Sequence, residues 1–508
     1  MTSLTRLLTP EREEVLRLLK TDFPYFARTC LKIKTKDGRI LPLALNAAQQ
    51  YIHQMIEGQL ARTGKVRAII LKGRQQGAST YTEARYYWRT SMNTGKTAYI
   101  LTHEDKATQN IFGMARRYHD LMPDPMRPAT SSANANELAF SARQSKYMVG
   151  TAGSRGTGRS STVQYFHGSE MAFWPNAADH LAGVGQAVPD LPGTEIILES
   201  TANGIGNPFH SMWQDAIRGR GQYIAIFVPW FWQPEYTADV PEDFALDADE
   251  ADYADLHGLT PGQMAWRRHK LTDDFRGDVG LFDQEYPATQ ALAFRKSTEN
   301  SLITLQSVER AMVAILEPDD GAPRIMGVDP AEYGDDDTAI AVRSGRVVES
   351  MERHHGRGPM EVVGLVATRA DALRPVAINI DCTGIGSGIA DRLLELGYPV
   401  NRVHFGERAI EAEQYAIRRD EMWGEMARWF EDAPNRIPAD DVLAADLTGP
   451  TYTYDSSRRL KLERKEDMKR RGLSSPDSAD AMALTFAVRI GRPRRPTTAD
   501  RRYNWKAG

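Results

Sequence analysis

The sequence predicts an α/β protein built on two sheet-centred units, and three observations carry that expectation. Apolar, β-rich runs alternate with segments of helical apolar spacing, which implies a mainly parallel sheet with crossover helices. One such run, VRAIILKG, passes through a glycine-bearing loop straight into a helical segment. Three acidic clusters follow in the last third: Asp329 in RIMGVDPAEYGDDDT, Asp381 in VAINIDCTGIGSG, and Asp477 with Asp480 in SSPDSADAMAL.

In chain order, residues 1–40 read as helical and then polar, with KIKTKDGR forming a turn or hairpin. LPLALNAAQQYIHQMIEGQLA has helical spacing. VRAIILKG, KTAYILTH, TVQYFHGSE and TEIILEST read as strands, separated by the helices STYTEARYYWRTSM and ATQNIFGMARRYHDLM. From Pro229 to about Ser297 the alternation breaks down into an aromatic, acidic stretch with one clear helix around PGQMAWRRHKL. Trp230, Trp232, Trp266, Phe282 and Tyr286 need burial there, so the stretch reads as a connecting subdomain and not a free linker. Strands resume with RIMGVD, TAIAVRS and RVVESMER, then a helix near GPMEVVGLVATRADAL and the strand VAINID. Strand, strand, strand, helix, strand is the opening of an RNase H-like sheet. A helix-rich stretch over 409–449 and a helix from Asp477 complete that unit. The expected domains are 1–228, 229–300 and 322–490, with a basic mobile tail over 491–508.

The 508 residues, 41% of them hydrophobic, suffice for sizeable cores, and the net charge of −4 does not by itself mark a nucleic-acid binder. Charge is unevenly placed, however. Residues 237–256 carry eight acidic and no basic side chains, whereas residues 458–471 carry eight basic and three acidic ones. A local basic face can hold DNA phosphates whatever the global sum, so Arg464, Lys465, Arg470 and Arg471 are candidate DNA contacts. The two cysteines, Cys30 and Cys382, exclude a disulfide scaffold. No signal peptide or membrane-length apolar run is visible, which leads to the expectation of a soluble, intracellular protein with no membrane partner.

The loop KGRQQGAST has the strand–loop–helix context of a phosphate-binding P-loop, in which backbone N–H groups and a helix N-terminus face phosphate oxygens. The candidate nucleotide-binding residues are Lys72, Gly73, Arg74, Gln75, Gln76, Gly77, Ala78, Ser79 and Thr80. With Gly77 as the second glycine, Ala78 stands at the usual lysine position and Ser79 at the magnesium position. The cation must then come from Lys72 or Arg74. Glu170, ending the strand TVQYFHGSE, is the candidate catalytic carboxylate, with Ser169 where an aspartate is usual. Ser200, Thr201 and Asn203 end the next strand and are candidate sensors of the γ-phosphate. Arg155 and Arg159, in AGSRGTGRSST, are candidate arginine fingers, and Gln49 is a candidate adenine contact.

Asp329 and Asp381 at strand ends, with Asp477 and Asp480 three residues apart on one helix face, can converge on one pocket. Such a pocket repels itself unless a carboxylate is protonated or metal-bound. Its hard oxygens suit Mg²⁺ or Mn²⁺, and two such ions side by side support phosphodiester cleavage. Asp335, Asp336 and Asp337 read as turn residues.

The ordered series KGRQQGAST, HGSEMAFW, ESTANG, FDQEYPATQALAF, GVDPA with DDDT, IDCTGIGSG and SPDSADAMAL resembles the large terminase subunit of tailed bacteriophages, over roughly Leu45 to Val488. The resemblance implies an N-terminal P-loop (ASCE-type) ATPase domain joined to a C-terminal RNase H-like nuclease domain. It implies an ATP-driven motor that packages and cuts concatemeric double-stranded viral DNA in the host cytoplasm. It further implies a portal protein and a small terminase subunit as partners, with a homo-oligomeric ring on the portal, compatible with a monomer in solution. By the same resemblance Ser200, Thr201, Ala202 and Asn203 are the coupling motif, and Asp329, Asp381 and the Asp477/Asp480 pair bind the nuclease metals. The departures are Ala78 and Ser169. The competing reading is a P-loop helicase or translocase whose C-terminal domain only binds nucleic acid.

Overall fold

The computed structural model describes residues 10–152, 162–294, 301–319, 321–331, 336–432 and 434–488. The chain falls into two compact units, Met1–Ser297 and Thr298–Gly508.

The first unit opens with helices Pro10–Thr21 and Phe23–Cys30 and a short antiparallel hairpin, β1 (Lys32–Lys34) and β2 (Ile40–Pro42). Its main sheet contains β3 (Val66–Lys72), β4 (Thr97–Thr102), β5 (Ser132–Ala133), β6 (Glu137–Phe140), β7 (Ser145–Thr151), β8 (Tyr165–Ser169), β9 (Glu195–Ser200) and β10 (Ile224–Val228). The spatial order is β10-β3-β9-β8-β4-β7-β6-β5. All pairs from β10 through β7 are parallel, and β6 and β5 are added antiparallel at the edge. The glycine loop follows β3 and Glu170 follows β8, with β9 inserted between those two strands. This is the ASCE-type order.

The residues of β3 are all buried, as a central parallel strand requires. Val66, Ala68 and Ile70 enter one core layer with Ile52, Ile56, Tyr81 and Ala84, while Ile69 and Leu71 enter the opposite layer with Phe209 and Trp213. The strand's period of two therefore feeds helices on both faces. The helix Ala78–Met92 is fixed to the sheet by a buried ion pair, Arg85 Nε to Glu195 Oε2 at 2.7 Å.

Residues 229–294 pack into this first unit as an aromatic cluster. Trp266 stacks on Trp230 at 5.2 Å between ring centroids and on Tyr236 at 4.4 Å, and Trp230 and Phe282 are fully buried. Two helices of the cluster, Ala248–His257 and Pro261–Asp273, begin in reciprocal capping boxes, Asp247 with Glu250 and Thr260 with Gln263.

The second unit holds β11 (Arg324–Asp329), β12 (Asp337–Ser344), β13 (Val347–His355), β14 (Ala377–Asp381) and β15 (Val400–Val403) in the order β13-β12-β11-β14-β15. The pairs β11–β12 and β12–β13 are antiparallel, and β11–β14 and β14–β15 are parallel. This is the RNase H-like order. A separate hairpin pairs β16 (Tyr452–Tyr454) with β17 (Leu460–Leu462). The helices Pro359–Leu373 and Gly386–Glu395 cover one face of the sheet, and Arg418–Glu431, Asp441–Thr448 and Asp477–Leu484 the other. Gly327 in β11 lets the last helix approach: a Cβ there would lie 2.0 Å from the Ala481 carbonyl oxygen. That approach brings Asp477 and Asp480 down beside Asp329.

Candidate functional site

Each sheet ends in a charged site at the C-terminal edge of its parallel strands, where ligands of α/β sheets gather. In the first unit the helix Ala78–Met92 starts at Gly77, whose φ of 85° lies in the left-handed region, and no side chain caps it. Its first N–H groups are thus available to an anion. A Cβ at Gly77 would lie 2.7 Å from Gln49 Nε2. Gln49 is buried and donates from Nε2 to the Gly77 carbonyl at 2.9 Å, while its Oε1 accepts the Asn46 N–H. Its amide thus braces the loop from behind; the expected adenine contact has both ends of that amide already bonded.

Of the two candidate cations the structure separates Lys72 from Arg74. Lys72 is buried, with Nζ 2.9 Å from Glu170 Oε1 and 3.1 Å from Glu199 Oε2. Burial pushes its ammonium down, but the two carboxylates more than reverse this and hold it well above the ordinary lysine range. Arg74 turns outward to an ion pair with Glu285, and its backbone N–H also donates to the Glu285 carbonyl. The aromatic stretch grips the loop at further points. Gln76 Nε2 donates to the Trp230 carbonyl, Tyr236 Oη donates to the Arg74 carbonyl, and a Cβ at Gly73 would press on Trp230 Cα at 3.3 Å. Gln75 sits at the tip with φ 54°, and Thr80 faces Met114 from the first turn of the helix.

Glu170 adopts φ 51°, ψ 47°, a left-handed conformation costing a non-glycine residue about 1 kcal/mol. The bend points its carboxylate at Lys72 and back to the end of β9: Ser200 Oγ and the Thr201 N–H donate to Glu170 Oε2 at 3.3 and 3.2 Å. Asn203 donates to the Ala172 carbonyl just past Glu170, and Ala202 is buried. The candidate coupling segment therefore touches the candidate catalytic carboxylate directly. Arg155 and Arg159 lie outside the described residues.

Sequence reasoning passed over Glu199, the residue before Ser200. It is fully buried, and its Oε1 accepts from Ser79 Oγ at 2.7 Å and Ser169 Oγ at 2.9 Å. His167 Nε2 stands 3.5 Å from the same oxygen, while its Nδ1 faces Glu83, which also accepts from Tyr147. Burial lowers the His167 pKa, but Glu83 and Glu199 outweigh it and raise it to about 9. Burial raises the Glu199 carboxyl, and Lys72, His167 and Ser79 together hold it below the usual range. The available signal was a carboxylate interrupting the apolar run EIILES of a central strand.

In the second unit Asp329 and Asp381 follow the register pair Val328–Ile380 on neighbouring parallel strands. Thr383 donates to Asp381 Oδ1 from both its N–H and its hydroxyl. Burial, with Asp480 and Asp381 nearby, raises the Asp329 pKa to about 7 against the pull of Lys465. Burial and Asp329 raise that of Asp477 to about 8. Asp381 is raised by burial too.

The four acids do not share one role. Asp480 is wholly buried and its oxygens accept from Arg419 Nε at 3.0 Å, Arg419 Nη2 at 3.3 Å and Trp423 Nε1 at 2.8 Å. Burial raises its pKa, and Arg419 and Lys465 more than compensate, keeping it below the ordinary value. Asp477 instead accepts the Asp337 N–H at 2.8 Å. Asp337 is therefore a buried first residue of β12 that orients Asp477, in contrast to the expected turn; Asp336 pairs with Lys469, and Asp335 lies outside the described residues.

The basic stretch also divides. Lys465 reaches into the carboxylates, with Nζ 3.0 Å from Asp480 Oδ2, 3.4 Å from Asp329 Oδ2 and 3.7 Å from Asp477 Oδ1. Among the described residues no group of three His, Cys, Asp or Glu is arranged to hold a metal as it stands. The Lys465 ammonium thus stands among three of the four carboxylates, Asp329, Asp477 and Asp480. The donors are nonetheless the oxygens a hard divalent ion prefers. Arg471 folds onto Glu463 with contacts of 2.7 and 2.6 Å; Arg464 and Arg470 are exposed. The tail expected to be mobile lies outside the described residues. No described helix is long and apolar enough to cross a membrane.

No family model matches this sequence, and no curated protein matches it. Solved structures do. The HK97 bacteriophage large terminase matches 94% of this chain over 99% of its own, at 14% identity and a TM-score of 0.39. The nuclease domain of the large terminase subunit of bacterial virus Sf6 matches 37% of this chain over 100% of its own, at 18% identity and a TM-score of 0.34. The large terminase nuclease from thermophilic phage G20c, solved with bound magnesium, matches 37% over 97%, at 14% identity and a TM-score of 0.30.

Proposed function

We propose that this chain is the large subunit of a viral terminase, an ATP-driven DNA-packaging motor that also cuts double-stranded DNA in a metal-dependent reaction. One observation carries the reading: a single chain ends an ASCE-type sheet in Lys72 and Glu170 beside an uncapped helix N-terminus, and ends an RNase H-like sheet in Asp329, Asp381 and Asp477. A nucleic-acid motor and a phosphodiester nuclease need those two sites respectively.

In the first site the N-terminus of the helix Ala78–Met92 and the loop before it receive the phosphates. Lys72 supplies positive charge to the transferred group, and Glu170 orients the attacking water and takes its proton. While Lys72 pairs with Glu170, the base is held in check; phosphate oxygens competing for the ammonium release it. The bonds from Ser200 and Thr201 to Glu170 give β9 a direct sense of that change. In the second site a divalent ion bound by Asp329, Asp381 and Asp477 would supply an activated water and neutralise the leaving oxygen. Lys465 neutralises the pocket beforehand and moves to scissile phosphate oxygens when the carboxylates are otherwise satisfied. Double-stranded DNA, a portal protein and a small terminase subunit are the proposed partners, in the host cytoplasm.

The test is one incubation of the protein with plasmid, with and without Mg²⁺ or Mn²⁺, with cleavage and ATP turnover read from the same tube. Both activities are expected. ATP turnover without metal-dependent cleavage supports a translocase with a binding-only second unit, and absence of both rejects the proposal.

A further inference from the structure

We propose that Glu199 is the protein carboxylate that, with Ser79, holds the magnesium of bound Mg·ATP. The proposal rests on the nucleotide-site reading above and goes further, because it assigns the metal to a strand where P-loop proteins do not usually carry it. Ser79 occupies the hydroxyl position of the loop, whose usual carboxylate partner stands just before the catalytic glutamate, here at the end of β8, with β9 between it and the glycine-loop strand. Here that position is Ser169, which has no charge to offer.

The charge reappears one strand over. Glu199 is the direct register partner of Ser169 across β8–β9 and of Ile70 across β3–β9. It therefore lies between the glycine-loop strand and the Glu170 strand. A glutamate side chain is one methylene longer than an aspartate, which helps to span the shift of about 4.8 Å between neighbouring strands. The hydroxyls of Ser79 and Ser169 both converge on Oε1, at 2.7 and 2.9 Å. The other oxygen, Oε2, is buried, receives no aligned hydrogen bond and faces Lys72 Nζ at 3.1 Å. A fully buried carboxylate with one unbonded oxygen is costly to keep charged unless a cation serves it. Lys72 serves it when the site is empty of nucleotide; once Lys72 turns to phosphate, magnesium takes its place. Glu170 is thereby left for the attacking water, and the departure at Ser169 is compensated.

The experiment measures the affinity of the full chain for a fluorescent, non-hydrolysable ATP analogue in EDTA and in excess Mg²⁺. The ratio of the two affinities is the magnesium gain. Glu199→Gln is expected to bind the analogue in EDTA at least as tightly as wild type, since Lys72 then leaves no unserved carboxylate behind, and to lose the gain by roughly tenfold or more. Adding Ser169→Asp to Glu199→Gln is expected to restore it, by returning the carboxylate to the neighbouring strand. Ser79→Ala is expected to lower the gain non-additively with Glu199→Gln. An undiminished gain in Glu199→Gln overturns the assignment while leaving nucleotide binding intact. A wild-type protein that binds no analogue in either buffer overturns the nucleotide reading and this assignment with it. If Glu199→Gln fails to fold, the doubly substituted chain decides: folding without a magnesium gain overturns the proposal.

Discussion

Arg419 holds Asp480 with two nitrogens, at 3.0 and 3.3 Å, in a place from which solvent is excluded. Asp477, three residues earlier on the same helix face, is instead pushed towards protonation by burial and by Asp329. The two acids should therefore fail differently. Asp480→Asn leaves the Arg419 guanidinium buried with a weakened partner, and removing one member of a buried pair costs about 3–5 kcal/mol. Its loss of cleavage should come with a lower unfolding midpoint. Asp477→Asn should abolish cleavage with stability retained. Equal unfolding midpoints for the two variants in urea would refute this division.

Lys72 and Arg74 should separate as sharply. Lys72→Ala removes the buried ammonium and should lower ATP turnover by about a hundredfold, the scale for one preorganised transition-state donor. Arg74→Ala removes an exposed pair with Glu285 and should change turnover by less than about fivefold. Glu170→Gln should stop hydrolysis while preserving nucleotide binding. Steady-state turnover beside analogue binding checks all three, and normal turnover in Glu170→Gln would end its assignment as the base.

The strands that carry the sites were legible because they are buried runs with a carboxylate or glycine where the run stops. RIMGVD, VAINID and TVQYFHGSE all became strands of the expected kind. The strands β5, β6, β7, β10 and β15 and the β16–β17 hairpin were not named in advance, since short or peripheral strands and the polar-interrupted run SKYMVGT of β7 lack a long apolar signature and are fixed by their neighbours. Single positions were harder. Lys465 and Arg471 look alike in a basic run, but one enters the carboxylates and the other folds onto Glu463. Glu199 escaped because Ser200 and Thr201 beside it drew the functional reading. Only the register of three neighbouring strands brings Glu199 opposite Ser169. That register is non-local and has no sequence signature.

The carboxylates of the second site should leave a mark on stability. Asp329 has a folded pKa raised to about 7 by burial with Asp480 and Asp381 nearby, and Asp477 one raised to about 8 by burial and by Asp329, against an ordinary value near 3.8. The folded state binds more protons than the unfolded one across that interval. The favourable contribution is present below pH ~4 and is lost as pH rises towards 8. Metal-free wild-type protein should therefore lose more stability between pH 5 and 8 (roughly, from these values) than Asp477→Asn does. Mn²⁺ should raise the wild-type melting temperature more at the alkaline end, and should do so weakly in Asp477→Asn. Parallel pH profiles for the two proteins without metal would contradict the coupling.

DNA grip should reside in only part of the basic stretch. Arg464 and Arg470 are exposed on the short helix Lys465–Arg470 and its cap. Arg470 gives up only an exposed pair with Asp467 when it meets a phosphate. Arg471 is tied through two nitrogens to Glu463 and through a third contact to the Gly449 carbonyl, so its guanidinium braces the chain around the β16–β17 hairpin. Arg464→Ala and Arg470→Ala should each weaken binding to any duplex sequence. Each should make the slope of log affinity against log salt shallower by roughly 0.9, one phosphate contact apiece. Arg471→Ala should leave that slope nearly unchanged and lower the unfolding midpoint instead, because Glu463 loses its partner. Lys465→Ala should spare much of the binding and remove cleavage, since its ammonium belongs to the carboxylates. Salt titrations of duplex binding on the four single variants decide the matter: a uniform slope change across all four would mean that the stretch acts as one undifferentiated basic face.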